Sequence, residues 1–216
     1  MTNVNFDFIE DYLRSLIPDN PPLLKELEHY AKEHHIPIVE RETEEFIKFI
    51  VDLKKPKKVL ELGTAIGYFS ISLAREECID GIVTVEIREE MVEQALANVK
   101  KANMEEKVEV VHQDAYDYLR NCKESFDLIF IDAAKGQYEK YFVESLKHLN
   151  KGGIIICDNV LFRGMIANPD LVKRRKITIV KRLRRFLANI EKDQQFISSI
   201  VPIGDGVLLI RRKHEG

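Results

Sequence analysis

The 216-residue chain has no tryptophan, only three cysteines, and no apolar run near the roughly 18 residues that a membrane span needs. Cys78, Cys122 and Cys157 are odd in number, lie in or beside apolar segments, and show neither CxxC nor zinc-ligand spacing. They read as reduced core thiols, not as a disulfide framework. The opening stretch Met1-Thr2-Asn3-Val4-Asn5-Phe6-Asp7 has no basic segment followed by an apolar one, so no secretory leader is expected and the localisation reads as cytoplasmic. No low-complexity linker and no internal repeat divides the chain. With 45% hydrophobic and 32% charged residues it has the balance of a globular protein, and its length suits one domain, residues 1–216, with a substantial core.

Net charge is small, −3, but unevenly distributed. Residues 173–185, Lys-Arg-Arg-Lys-Ile-Thr-Ile-Val-Lys-Arg-Leu-Arg-Arg, hold eight of the 33 basic residues and no acid; the other 25 face all 36 acids, which leaves the remainder at −11. A concentrated cationic element on an acidic body points to an anionic partner at one place. The plainer alternative is a solvated helix that pairs with the acidic body.

Residues 1–55 read as helices. Phe6, Ile9, Leu13 and Leu16 or Ile17 recur at helical spacing, as do Leu23, Leu24, Leu27 and Tyr30 after Pro21-Pro22, and a third helix carries Phe46, Ile47, Ile50 and Leu53 up to Pro56. Over 56–216 the rhythm changes to short apolar strands at Val59-Leu60, Ile82 to Val85, Val108 to Val111, Phe126 to Ile131 and Ile154 to Cys157, separated by helices. Such a pattern predicts a parallel sheet covered on both faces. The last two strands, Phe196 to Ile203 and Val207 to Ile210, are joined only by Gly204-Asp205-Gly206, which forces them antiparallel. A mostly parallel α/β sheet with a C-terminal antiparallel hairpin and an N-terminal helical extension is the Rossmann-like arrangement of class I methyltransferases.

Gly63 and Gly67 close the first strand and open a helix, where backbone amides approach a ligand closely. Their GxxxG spacing differs from the GxGxxG of a pyrophosphate turn, which disfavours a nicotinamide dinucleotide. Glu61 before the turn suits the ammonium of a bound amino acid, Glu86 at the end of the second strand suits two ribose hydroxyls, and Asp114-Ala115 after the third suits an adenine. Asp132 ends the fourth strand and Asp158-Asn159 follow the fifth, at the carboxyl edge where open α/β sheets bind ligands. Two carboxylates and an amide oxygen, with no histidine or thiol among them, suit Mg²⁺ and not zinc. Lys135, three residues after Asp132, is within reach of an atom held by the same ion and is the candidate general base.

These residues resemble the Mg²⁺-dependent, catechol O-methyltransferase-like family of S-adenosylmethionine enzymes. The likeness runs from about residue 36 to the C-terminus through Glu61-Leu62-Gly63, Gly67-Tyr68, Glu86, Asp114-Ala115, Asp132-x-x-Lys135-x-x-Tyr138 and Asp158-Asn159-Val160-Leu161. It is nearest to the bacterial branch that methylates 5-hydroxyuridine of tRNA, through residues 131–138, 158–164, the basic run and Pro202-Ile203-Gly204-Asp205-Gly206. The resemblance implies that Asp132, Asp158 and Asn159 bind the metal, that Lys135 is the base, and that Ile38, Tyr68, Ser70, Glu86, Asp114, Ala115 and Asp132 surround the S-adenosyl-L-methionine. It also implies a homodimer, with the N-terminal helices as contacts. Phe162 stands where many members acting on small phenols carry a tryptophan.

Catechols chelate a metal through two adjacent oxygens, and 5-hydroxyuridine offers the same pair through its 5-hydroxyl and O4. The expected function is therefore methylation of a wobble 5-hydroxyuridine in the tRNA anticodon loop, with residues 173–185 on the phosphates and Phe162 and Tyr138 as stacking candidates. If residues 177–190 are helical, Val180, Leu183, Leu187 and Ile190 share the inward face while Lys181, Arg182 and Arg185 point outward. The alternatives are a methyltransferase of catechol-like small molecules and a non-catalytic RNA-binding protein on the same fold.

Overall fold

The computed structural model describes residues 4–213; Met1, Thr2 and Asn3 of the N-terminal stretch read above lie outside the described residues. Three helices come first, α1 (Asp7–Leu16), α2 (Pro22–Glu33) and α3 (Arg41–Lys54), then an alternation of β1 (Lys58–Leu62), α4 (Tyr68–Ala74), β2 (Gly81–Glu86), α5 (Glu89–Lys101), β3 (Val108–His112), α6 (Ala115–Asn121), β4 (Phe126–Ile131), α7 (Tyr138–Ser145) and β5 (Leu149–Cys157). The chain finishes with α8 (Ile177–Lys192), β6 (Phe196–Val201) and β7 (Val207–Arg212). All seven expected strands are present. Pro202 and Ile203 fall outside β6, because proline has no N–H for the ladder and Ile203 N–H turns back to Val201 O.

The strands form one sheet of order β3-β2-β1-β4-β5-β7-β6. The first five pair in parallel, and β7 lies antiparallel between β5 and β6. Near-continuous β-branched and aromatic runs such as Ile129, Phe130 and Ile131 suit strands buried on both faces, and all three are fully buried. One face packs on α6, α7 and α8 through Leu119, Phe142, Leu183 and Phe186; the other packs on α2 to α5 through Leu24, Ile47, Ile71 and Val99.

Helix α8 forms as its spacing predicts. Val180, Leu183, Leu187 and Ile190 turn inward, joined by Phe186, whose ring packs edge-on against Phe142 at 5.6 Å. Helix α1 also forms, but its expected apolar stripe does not enter the core: Phe6 and Leu16 are more than 60% exposed and Ile9 and Leu13 are 38% and 37% exposed, with Phe8 and Tyr12 beside them also more than 60% exposed. The polar side points inward instead, Glu10 being the only buried residue of the helix and Arg14 binding Glu42 at 2.7 and 2.8 Å.

Truncating Leu183 to Ala removes a fully buried side chain from α8 and is expected to cost about 2–5 kcal/mol of stability in urea unfolding. Lys181→Ala on the exposed face should stay within about 0.5 kcal/mol. Equal effects would show that α8 does not pack as described.

Candidate active site

The parallel ladder continues one peptide beyond β1, β3, β4 and β5. Gly63 N–H donates to Val85 O at 2.9 Å, Asp132 N–H to Leu62 O at 2.9 Å, Asp158 N–H to Ile131 O at 3.0 Å and Gln113 N–H to Glu86 O at 3.0 Å. The residues that carry the chemistry are thus fixed by the sheet itself at its carboxyl edge, although they lie outside the strands. Gly63 has φ +109°, and a Cβ there would come within 2.2 Å of Asp132 O. Only glycine lets the β1 turn approach the end of β4 so closely. Gly67, at φ +80°, starts α4, and Ile66 O is held by Asn98 Nδ2 at 2.9 Å.

Glu86 accepts from the N–H groups of Ala65 (3.0 Å), Ile87 (3.1 Å) and Arg88 (3.0 Å), which aims its carboxylate at the glycine turn. Asp114 caps α6 by accepting from Tyr116 and Asp117 N–H. Glu61 is buried and accepts from Thr84 Oγ1 at 2.6 Å and from Ser70 Oγ. Burial, only partly countered by those hydroxyls, pushes its carboxyl up to about 8. Ser70 itself is fully buried behind Glu61.

Three hollows meet here. One of about 210 Å³ is lined by Ile38, Glu61, Gly63, Tyr68, Asp132 and Asn159. A second of about 320 Å³ runs past Glu86, Asp114, Ala115 and Tyr141. A third chamber of about 660 Å³, between the N-terminal helices and the sheet edge, is lined by Ile38, Tyr68, Asn159, Arg163 and Asp205. The expected cofactor residues therefore divide in two: Ile38, Glu61, Gly63, Tyr68, Glu86, Asp114, Ala115 and Asp132 line these hollows, whereas Ser70 lines none of the three and stands in a second layer behind Glu61.

Lys135 opens the short 3-10 turn Lys135–Gln137 and joins two of the three expected oxygen donors: its Nζ donates to Asn159 Oδ1 at 2.5 Å and stands 3.7 Å from Asp132 Oδ1. Asp158 is buried, its Oδ1 accepting from Asn159 N–H at 2.6 Å. Burial and the charge of Asp132 raise the Asp158 carboxyl well above the usual range, and burial raises Asp132 against the pull of Lys135. Among the described residues no group of three or more His, Cys, Asp or Glu side chains is arranged to hold a metal ion; the set here is two carboxylates and one amide oxygen. Its chemistry fits a hard dication, since the crowded carboxylates face a single ammonium.

Two expected stacking residues are placed otherwise. Tyr138 is buried and its hydroxyl donates to Asp158 O at 2.8 Å, which supports the site from behind. Phe162 is 8% exposed, with Lys176 Nζ 5.7 Å from its ring centre. Both are closed to a stacked base by packing. Asp205 joins the site without having been expected there: it lines the chamber, burial pushes it up to about 6, and its carboxylate accepts from Arg163 N–H. Nothing in a Gly-Asp-Gly turn signals a contact 42 residues away.

A sheet of this order, with an antiparallel seventh strand and ligand hollows at its carboxyl edge, defines an α/β methyltransferase. The O-methyltransferase family profile matches residues 15–213, and the chain belongs to that family. It is 30% identical over 212 residues to the caffeoyl-CoA O-methyltransferase of Stellaria longipes, covering 92% of this chain and 86% of that protein. Among solved structures, the SAH-bound Podospora anserina methyltransferase PaMTH1 matches with TM-score 0.87 and 27% identity over 96% of this chain and 95% of that one. The O-methyltransferase of Bacillus cereus in complex with SAH matches with TM-score 0.83 and 26% identity over 99% and 100%. The chain is thus an S-adenosylmethionine-dependent O-methyltransferase.

An acid raised in the folded state binds more protons folded than unfolded, so its contribution to stability is complete below the unfolded value and is lost as pH rises. For Glu61 the loss spans 4.5 to about 8. Glu61→Gln keeps an acceptor for Ser70 and Thr84, so the cofactor-free variant should gain stability over wild type across that window, by at most about 1.4 kcal/mol per pH unit. Urea unfolding at several pH values measures this; parallel curves would show that Glu61 ionises without cost.

Proposed function

We propose that the chain transfers a methyl group from S-adenosylmethionine to an oxygen that has a second oxygen beside it, at a site completed by Mg²⁺, and that its substrate is 5-hydroxyuridine in the tRNA anticodon wobble position. The observation that carries the reading is the meeting of Asp132, Asp158, Asn159 and Lys135 beside the Gly63 turn. Mg²⁺ bound there would acidify and orient the accepting hydroxyl. Lys135 Nζ, between Asn159 and Asp132, is the group placed to take the hydroxyl proton. The new O–CH₃ bond forms as the S–CH₃ bond breaks, and the sulfonium leaves as a neutral thioether. Glu86 and Asp114 orient the nucleoside half of the cofactor. Asp132 fixes the ammonium of Lys135 on one side while Asn159 Oδ1 fixes it on the other. Intact machinery of this kind argues against the non-catalytic reading.

The RNA reading is supported by charge. Of the eight bases in 173–185, Arg182 donates to Gly136 O, Arg184 to Met165 O and Ile166 O, Arg185 to Glu139, and Lys176 covers Phe162. Lys173, Arg174, Arg175 and Lys181 are exposed and keep their charge for a phosphate partner. A second reading, methylation of a catechol-like small molecule, is favoured by the named activity of the caffeoyl-CoA relative and by the 660 Å³ chamber.

Labelled cofactor offered with undermodified tRNA and, separately, with a catechol distinguishes the two. Label in tRNA is expected, reduced about 10²- to 10⁴-fold by Lys135→Ala. Replacing Lys173, Arg174, Arg175 and Lys181 together by Ala should weaken tRNA binding and flatten its log–log salt dependence by roughly 0.7 for each phosphate no longer neutralised. Catechol turnover without RNA label would replace the first reading by the second.

The same proposal includes a homodimer through α1, whose Phe6 and Phe8 rings stack at 5.3 Å on the exposed side. Sedimentation should show a dimer that Phe8→Glu dissociates; a wild-type monomer at micromolar concentration would remove this element.

A further inference from the structure

The tip of the β6–β7 hairpin is clamped between the N-terminal helices and the loop that follows β5. On one side a Cβ on Gly204 would come within 2.5 Å of Thr43 Oγ1, and Asn5 Nδ2 donates to Pro202 O at 2.8 Å. On the other, Val160 N–H donates to Gly206 O and Leu161 N–H to Asp205 O, both at 2.9 Å, and Arg163 N–H donates to the Asp205 carboxylate. Gly206 sits at φ +87°, and a Cβ there would lie 2.4 Å from Leu161 Cγ.

The loop so held follows a costly path. Asn159, Phe162 and Arg163 have φ of +53°, +47° and +56°. Asparagine tolerates left-handed backbone, but it costs residues such as Phe162 and Arg163 roughly 1–2 kcal/mol each, so two of them in succession persist only where surrounding bonds over-determine them. That path presents Asn159 Oδ1 to Lys135 and sets Arg163 on the wall of the chamber that Asp205 also lines.

We infer that Asp205 is a positioning residue of the methyl-transfer site: its carboxylate and carbonyl hold the Asn159–Arg163 backbone in the left-handed path that seats Asn159 beside Asp132 and Arg163 at the substrate chamber. The inference rests on the proposal that Asp132, Asp158 and Asn159 hold a dication. Asp205 acts through the N–H groups of Leu161 and Arg163, which its carbonyl and carboxylate hold.

The test uses the full chain loaded with SAH, with Mn²⁺ as the probe, followed by magnetic resonance, and with amide hydrogen exchange read over 159–164. Asp205→Ala should weaken Mn²⁺ binding about 10- to 100-fold and accelerate exchange in that loop while SAH affinity holds. Asp205→Asn, which keeps an oxygen for Arg163 N–H, should restore both readouts most of the way to wild type. Gly206→Ala, pressing on Leu161, should reproduce the Asp205→Ala pattern and decides the matter if Asp205→Ala loses SAH binding through misfolding. Unchanged exchange and Mn²⁺ affinity in Asp205→Ala overturn the inference, as does an Asp205→Asn variant as impaired as the alanine. If wild type takes up no Mn²⁺, the metal proposal fails by itself, and exchange over 159–164 still decides whether Asp205 holds the loop.

Discussion

The constraint on which the site depends is the parallel ladder carried one residue past the strands. Because Gly63, Asp132 and Asp158 each donate a backbone N–H to the neighbouring strand, three loops that would otherwise choose their own conformations start from fixed points. A side chain one bond away from such a point inherits the rigidity of a buried seven-stranded sheet. Catalytic geometry demands that rigidity, since small displacements of a reacting group are costly in rate. The glycine at position 63 is the price of this closeness: with any side chain the β1 turn would be driven off Asp132 O, and the cofactor hollow and the acidic set would separate.

Electrostatics then follows from position. Asp132, Asp158 and Asp205, each pushed up by burial, crowd one edge of the sheet around Lys135. Buried like charges disfavour one another's ionisation and favour an incoming cation. The raised acids and the proposed metal set are two aspects of one arrangement. Glu61 differs in that its Oε2 is already engaged by two hydroxyls, which partly counter its burial behind the turn. An ammonium in the adjacent hollow, as proposed for the cofactor, would compensate that burial.

Much of this is legible in the sequence because it is local. Strand ends are marked by apolar runs that stop at Glu86, Asp132 and Asp158, and the Gly-Asp-Gly connection dictates an antiparallel pair. Four inward residues of α8 follow from helical spacing alone. What is not legible depends on pairs far apart in the chain. Arg185 meets Glu139 across 46 residues, so a count of basic residues overstates the free charge of the segment. Tyr138 and Phe162 carry aromatic rings at the right place in the order of motifs, yet Tyr138 bonds a backbone oxygen 20 residues away and Phe162 lies beneath Lys176. The stripe on α1 is periodic, as its spacing implies, but does not face inward, because Glu42, buried in α3, binds Arg14 and so decides which side of α1 faces the body.

The proposed substrate choice rests on how the two halves of the basic segment divide their work. Arg184 ties the carbonyls of Met165 and Ile166 and Lys176 lies over Phe162, so two of the eight bases fasten the post-β5 loop, while Arg182 and Arg185 tie α8 to Gly136 and Glu139. A purely structural fastening would need no further cations, and their mutual repulsion would oppose folding. Lys173, Arg174 and Arg175 are consecutive, exposed and adjacent to that fastened segment, where an anionic partner would offset the repulsion. A catechol supplies no such charge, whereas each nucleotide flanking a modified uridine supplies one phosphate. The charge left after the internal pairs are removed therefore supports the proposed nucleic-acid substrate over a catechol.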